Sequence, residues 1–246
     1  MKIFRETALI AGWLCCAVSG AVAQSIEAAL PPRIQAAREA QLARIAQREL
    51  EYAPVLAEIR PLAEAGDPEA QTNLGDILFD IRHYDEGASW HLRAAQQGYA
   101  EAQHRMWGHY KIGVGVPLDL EQGMHWLRRA ANQDYEPAMY SLGEAYRQGE
   151  GVPRDLGEAW YWFLLCAEQG SANCQYQLGM MSEYGNGVPM NFVLAYMWYN
   201  IAAASDHFLA TPSRDSISEQ MSQAQIAEAQ ALSSRCFEQN YQNCGR

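Results

Sequence analysis

The sequence predicts an all-α protein, a right-handed α-solenoid of helix–turn–helix repeats, and three sets of recurring residues carry that prediction. The pentapeptides GVGVP (113–117), GEGVP (149–153) and GNGVP (185–189) recur every 36 residues. Trp90, Trp126, Trp162 and Trp198 keep the same interval, each followed four residues later by Ala94, Ala130, Cys166 or Ala202. A third series, Ala102, Ala138 and Cys174, stays in step, each four residues ahead of Met106, Leu142 and Leu178. An earlier copy opens at Ala70 with Leu74-Gly75, but it runs DIRHYD where the glycine loop would stand and is four residues shorter.

Each copy divides into two helices. In AMYSLGEAYRQ (138–148), Ala138, Leu142, Ala145 and Tyr146 form one apolar stripe at helical spacing. GEGVP then interrupts it, because glycine permits positive φ and proline ends a helical pattern. Asp155 is suited to cap the next helix, with Glu158 three residues on, and Asp119 with Gln122 repeats the arrangement. That second helix, about 156–168, is expected to bury Trp160 or Trp162, Leu165 and Cys166, with Gly170 closing it. One such pair cannot bury its own stripe, so neighbouring copies must stack. The Gly-x-Gly loops lack a third glycine and a Gly-Lys-Ser/Thr ending and follow helices, which makes them turns rather than phosphate cradles.

In chain order, residues 1–23 have the marks of a cleaved export signal: Lys2 and Arg5, an apolar run from Ala8, and Ala21-Val22-Ala23 before Gln24. The run is short for a span of about 30 Å of hydrocarbon. Leu14 before Cys15 departs from a lipoprotein context. Residues 24–67 are expected to form an N-terminal capping region, with a helix at about 33–65 kinked at Pro54 and Pro61. Four repeats follow at about 68–101, 102–137, 138–173 and 174–205. Capping helices and a tail complete 206–246, with Ser222 and Gln225 as a capping box.

Cleavage would leave Cys166, Cys174, Cys236 and Cys244, an even set that reads as disulfides with three possible connectivities. The formal charge of −11 argues against a nucleic-acid or anionic-membrane partner. Lys111 is the only lysine beyond residue 23, so arginine carries nearly all the positive charge. No apolar run of spanning length follows the signal, and no stable membrane insertion is expected after cleavage.

The pattern A-x3-LG-x2-Y-x2-G-x-GV-x2-D followed by W-x3-AA-x2-G resembles the Sel-1-like repeat, a relative of the tetratricopeptide repeat. The resemblance covers about residues 50–205 and is most specific in the copies starting at Ala138 and Cys174. The copy at Ala70 departs from it by its short loop, and the copy at Ala102 by Trp107 in place of glycine. It implies an adaptor that organises protein complexes. A cysteine-rich branch of the family carries paired cysteines at this spacing, and penicillin binding or weak β-lactamase activity is ascribed to it. The resemblance therefore also implies, as the alternative function, a β-lactam or cell-wall hydrolase.

The repeat register bears on the cysteines. Cys166 takes the small-residue slot of Ala94, Ala130 and Ala202, and Cys174 that of Ala70, Ala102 and Ala138. These slots flank the turn between a second helix and the next first helix, where Cα atoms can approach within the 4.4–6.8 Å a disulfide needs. Closing such a nine-residue loop stabilises by roughly 2.6 kcal/mol on the chain-entropy model. Pairings Cys166–Cys174 and Cys236–Cys244 are expected, with exchanged pairing the alternative. Asn240 suits a left-handed cap in the second loop. The spacing matches neither a C-x2–4-C zinc pair nor a C-x-x-C redox motif.

No catalytic motif stands out. Lys111 is preceded at −3 by Gly108, so S-x-x-K is absent beyond the signal, as are G-x-S-x-G and H-E-x-x-H. His104 and His109 diverge by about 140° around one helix. With His125 they are expected to be solvated or groove-lining rather than metal ligands. No catalytic residue, metal or cofactor is assigned. The remaining candidate is a face of the first helices, opposite the leucine stripe: Thr72, Asp76 and Phe79; His104, Gly108 and Lys111; Tyr140, Glu144 and Arg147; Tyr176, Met180 and Glu183. In helical-repeat superhelices the first helices line the concave side, so this set is the expected groove for a protein or peptide partner. The localisation that goes with this reading is periplasmic or secreted.

Overall fold

The computed structural model describes residues 31–244, so the expected export signal lies outside the described residues. Eleven helices and no strand are found there. They are α1 (Pro32–Glu64), α2 (Pro68–Asp80), α3 (Tyr84–Gln96), α4 (Ala100–Ile112), α5 (Leu120–Ala131) and α6 (Glu136–Gln148). They continue with α7 (Leu156–Glu168), α8 (Ala172–Tyr184), α9 (Phe192–Ala204), α10 (Ala210–Ser218) and α11 (Gln223–Glu238). The chain divides into two units, residues 1–54 and 55–246. The described part of the first is the N-terminal stretch of α1, mostly exposed. Helix α1 is continuous through Pro54 and Pro61. The second unit is a stack of helix pairs in which each helix from α2 to α10 packs on the next and α11 packs back on α9, an all-α solenoid.

Local chemistry sets the helix ends. The Ala70 N–H donates to the Asp67 carboxylate at 2.6 Å, with Pro68 opening α2. Asp119 caps α5, Asp155 caps α7 and Asn191 caps α9 by accepting N–H groups of the first turn. Ser222 and Gln225 form the reciprocal capping box at the start of α11. After each second helix the chain takes one left-handed residue: Gly98, Asp134, Gly170 and Asp206, with φ of 95°, 59°, 91° and 60°. Aspartate substitutes for glycine at two of these because its short polar side chain tolerates that conformation. In the shortened first copy, Arg82 (φ 66°) takes the left-handed position on its own.

The glycine loops also space the repeats. Gly187 has φ +83°, and a Cβ there would lie 2.4 Å from the Leu156 carbonyl oxygen at the start of the preceding second helix. Gly115 meets the Tyr84 carbonyl oxygen at the same distance, two levels earlier.

The core has a complementarity that the sequence reading missed. Among the residues expected to be buried by α7, Trp160, Trp162 and Leu165 are only half-buried, whereas Phe163 is fully buried with Leu164, Cys166 and Ala167. The cause lies in the preceding helix. Gly143 leaves a gap, and the Phe163 ring fills it, 2.6 Å from where a Cβ would sit. Tyr199 fills the gap at Gly179, and His91 fills that at Gly75. In the second repeat the sizes are reversed: Trp107 stands in the glycine slot, Leu127 in the aromatic one, and Gly123 makes room for the indole at 2.7 Å.

Both disulfides form as expected, with Cα–Cα distances of 5.8 Å for Cys166–Cys174 and 5.3 Å for Cys236–Cys244. All four cysteines are buried in one apolar cluster. Asn240 takes the left-handed conformation after α11, with φ 49°. The tail reaches further back than the last helix: Gln242 Nε2 donates to the Glu168 carbonyl at 3.0 Å, and Asn243 N–H to the Glu168 carboxylate at 3.2 Å.

Candidate functional site

The twelve face residues lie at three matching positions on α2, α4, α6 and α8, and hydrogen bonds tie successive first helices together across them. His104 Nε2 is 2.9 Å from Ser141 Oγ, Gln177 Nε2 donates to the Tyr140 hydroxyl at 3.3 Å, and the Tyr176 and Ser213 hydroxyls are 3.4 Å apart. Each contact joins a residue to one 37 positions further on, so the same rung recurs at three levels. Gln177 also donates to Glu144 at 3.1 Å, and Arg105 bridges α4 to Asp76 on α2 at 2.9 Å. The ladder was missed in the sequence because its second members, Ser141, Gln177 and Ser213, do not keep one residue type from level to level.

One rung puts a serine beside a histidine, an arrangement that can activate a nucleophile. Ser141 lies inside α6, however, where backbone N–H groups are engaged in the helix, so no oxyanion donors converge on it. Burial also lowers the His104 pKa to about 4, which makes it a weak base at neutral pH. Recurrence of the contact with other residue types at the next two levels marks it as a joint between repeats.

The first three levels are charge-paired. Lys111 Nζ meets Glu150 at 2.6 Å, and Arg147 forks onto Glu144 through Nε (2.8 Å) and Nη2 (2.7 Å). The Glu144 hydrogen bond raises the Arg147 pKa, against the smaller lowering effect of partial burial. Not every candidate is presented outward. Thr72 is buried, its hydroxyl donating to the Pro68 carbonyl at 2.8 Å. Phe79 is half-buried, its ring stacked on His109 with centroids 4.3 Å apart. At the fourth level Glu183 accepts a hydrogen bond from the Tyr199 hydroxyl at 2.5 Å.

The histidines separate. His125 is exposed beside Trp126, and His104 is half-buried in its rung. His109, expected at the surface or in the groove, is instead 7 % exposed. It occupies the slot held by Ala145 and Met181 in later copies, which is core. There its Nε2 is 2.7 Å from Nδ1 of His91, a buried residue the sequence reading did not single out. The other His91 nitrogen, Nε2, faces the Thr72 carbonyl at 3.0 Å and the Asp76 carboxylate at 3.3 Å. Both can only accept, so His91 Nε2 carries a proton and, in the neutral ring, Nδ1 accepts from His109 Nε2–H.

Burial, then the neighbouring His91 and Arg105, lower the His109 pKa to about 3, against a smaller opposing effect of Asp76. A histidine depressed in the folded state loses stability as pH falls below the unfolded value near 6.5, because only the unfolded chain takes the proton. At pH 5 the loss from His109 is about 2 kcal/mol. Urea unfolding of the wild type and of His109→Met at pH 7 and pH 5 measures it: the variant should lose about 2 kcal/mol less between the two pH values. Equal losses would refute the assignment.

A partly buried group of possible metal ligands, Glu136 with Cys166 and Cys174, lies at the α7–α8 turn. The two sulfurs are bonded to each other, so neither is a thiolate, and Glu136 is engaged by the Ser171 hydroxyl. No described helix is long and apolar enough to cross a membrane.

Comparison with known proteins agrees with this architecture. The crystal structure of a Sel1 repeat protein from Oxalobacter formigenes is similar with a TM-score of 0.60 and 32 % identity, covering 66 % of this chain and 48 % of that one. A second structure, of c5321, a protective antigen present in uropathogenic Escherichia coli strains displaying an SLR fold, gives a TM-score of 0.49 at 24 % identity. It covers 85 % of this chain and 56 % of that one, so the chain spans about half the length of each structure. No curated protein matches the sequence. The family model for the Sel1 repeat matches residues 68–99, 100–135, 136–171 and 172–207, more than half of the chain. The chain belongs to the Sel1 repeat family.

Proposed function

We propose that the protein is an exported adaptor that binds a peptide segment of a partner protein along the face of its first helices, on the concave side of the solenoid. Sel1 repeats are known for protein–protein interaction. The observation that most favours this face is the ladder of side chains at His104, Tyr140 and Tyr176. It holds polar and aromatic groups of four successive elements in fixed register, which lowers the entropy cost of binding an extended ligand. Export is supported by the two disulfides, which persist in oxidising compartments.

Selection of peptides from a phage-displayed library on the purified protein tests the reading. Enriched peptides should bind the Tyr140→Ala/Arg147→Ala variant about tenfold or more weakly, as expected for loss of aromatic and arginine contacts. Tyr140 packs against Phe163 with centroids 5.9 Å apart, so a thermal melt must show the variant folded. Arg147→Glu, which leaves the core alone, serves as the second variant. Peptides that bind all three proteins equally would overturn the assignment.

A further inference from the structure

At the fourth level of the face, where α8 meets α9 and α10, a cavity of about 290 Å³ opens between Tyr176, Met180, Glu183, Tyr184, Tyr199 and Pro212. Its chemistry departs from that of the levels before it. Lys111 and Arg147 hold the positions equivalent to Glu183, and each has a counter-ion on the chain, Glu150 and Glu144. Glu183 has phenols instead: the Tyr199 hydroxyl donates to it at 2.5 Å, and the exposed Tyr184 phenol lines the same cavity. Burial first, then Glu183, drives the Tyr199 pKa far up, and Glu183 raises that of Tyr184. Both phenols therefore stay protonated at neutral pH, and that of Tyr199 orients the carboxylate without neutralising it. Among the described residues, none lining the cavity is basic.

A carboxylate ringed by three phenols and a thioether, with no cation of its own, suits a positively charged guest. We propose that this cavity is a recognition pocket for the alkylammonium side chain of a lysine in the bound peptide, which rests on the groove reading above. Lysine is favoured over arginine by the state of Glu183. The Tyr199 hydroxyl already occupies part of its lone-pair capacity, leaving room for a single-point donor better than for a bidentate fork. The methylene stem would lie along Met180, Leu209 and Pro212, with the ammonium against the tyrosines. The acidic balance of the chain, −11, favours approach of such a partner.

The test is a titration of the 15N-labelled protein with Nα-acetyl-lysine methylamide, followed by amide shifts, with the arginine and norleucine counterparts as parallel probes. Saturable shifts confined to residues around 176–184, 199 and 209–216 are expected for lysine, weaker ones for arginine, and none for norleucine. Glu183→Gln, which can still accept from Tyr199, should weaken the lysine probe about tenfold. Absence of lysine shifts at millimolar probe, equal shifts with norleucine, or unchanged affinity in Glu183→Gln would each overturn the pocket. If the pocket fails while phage-selected peptides remain sensitive to Tyr140→Ala/Arg147→Ala, the groove reading stands and only the lysine assignment falls.

Discussion

Phe163→Ala should cost about 4 kcal/mol of unfolding free energy, one of the two largest effects expected of any single substitution described. The ring is fully buried, and it sits against a glycine, so its removal leaves a gap bordered by backbone on one side. Gly143 has no side chain that can move in to fill that gap, and the neighbouring helices are held by the disulfide and the polar rungs. Cavities that cannot collapse are the expensive ones. The measurement is urea unfolding followed by circular dichroism, with Trp162→Ala as comparison. That neighbour is half-buried and should cost less, although it belongs to the recurring tryptophan series. If the two costs are equal, or their order is reversed, the complementarity between glycine and aromatic residue is not what sets the helix separation.

Gly187→Ala should cost about 3 kcal/mol, from two sources that a second substitution can separate. The backbone at Gly187 is left-handed, which an alanine adopts at a cost of about 1–2 kcal/mol. In addition, the new methyl would meet the Leu156 carbonyl oxygen at 2.4 Å, and a helix backbone cannot step aside as a side chain can. Gly98 has a comparable φ of +95° but nothing within 4 Å of its would-be Cβ, so Gly98→Ala reports the conformational cost alone. Melting temperatures of both variants should therefore differ, with Gly187→Ala the lower. Equal values would mean that the loop glycines serve only their own turn and do not set the distance between repeats.

Features that depend on a few adjacent residues were legible in the sequence. The caps at Asp119, Asp155 and Ser222, the left-handed Gly170 and Asn240, and the breaks at the glycine loops are each decided within one turn of chain. The cysteine pairs were legible because the repeat register placed both partners beside one turn. What escaped depends on facing elements. Nothing local to α7 says that Phe163 rather than Trp162 fills the core; Gly143, twenty residues earlier, decides it. The interior placement of His109 escaped for a related reason. Its polarity suggested surface, but His91 on α3 satisfies the ring inside the joint between the first two repeats. Of the candidate face, the equivalence of His104, Tyr140 and Tyr176 was readable from the period. Their rung partners, and the enclosure of Thr72, required the packed structure.

In a repeat array each unit ordinarily touches only its neighbours, so either end can fray one unit at a time. The tail beyond α11 breaks that rule here. By donating to Glu168 at the end of the third repeat, residues 242 and 243 reach past the fourth repeat. The fourth repeat is thereby enclosed between two segments that also hold each other, and each of those segments is closed by its own covalent loop. Peeling from the C-terminal end cannot begin at the outermost helix without first releasing a contact one full repeat inward. The end of the array that carries the Glu183 cavity is thus clasped, and unravelling one unit at a time is left to the opposite end of the repeats.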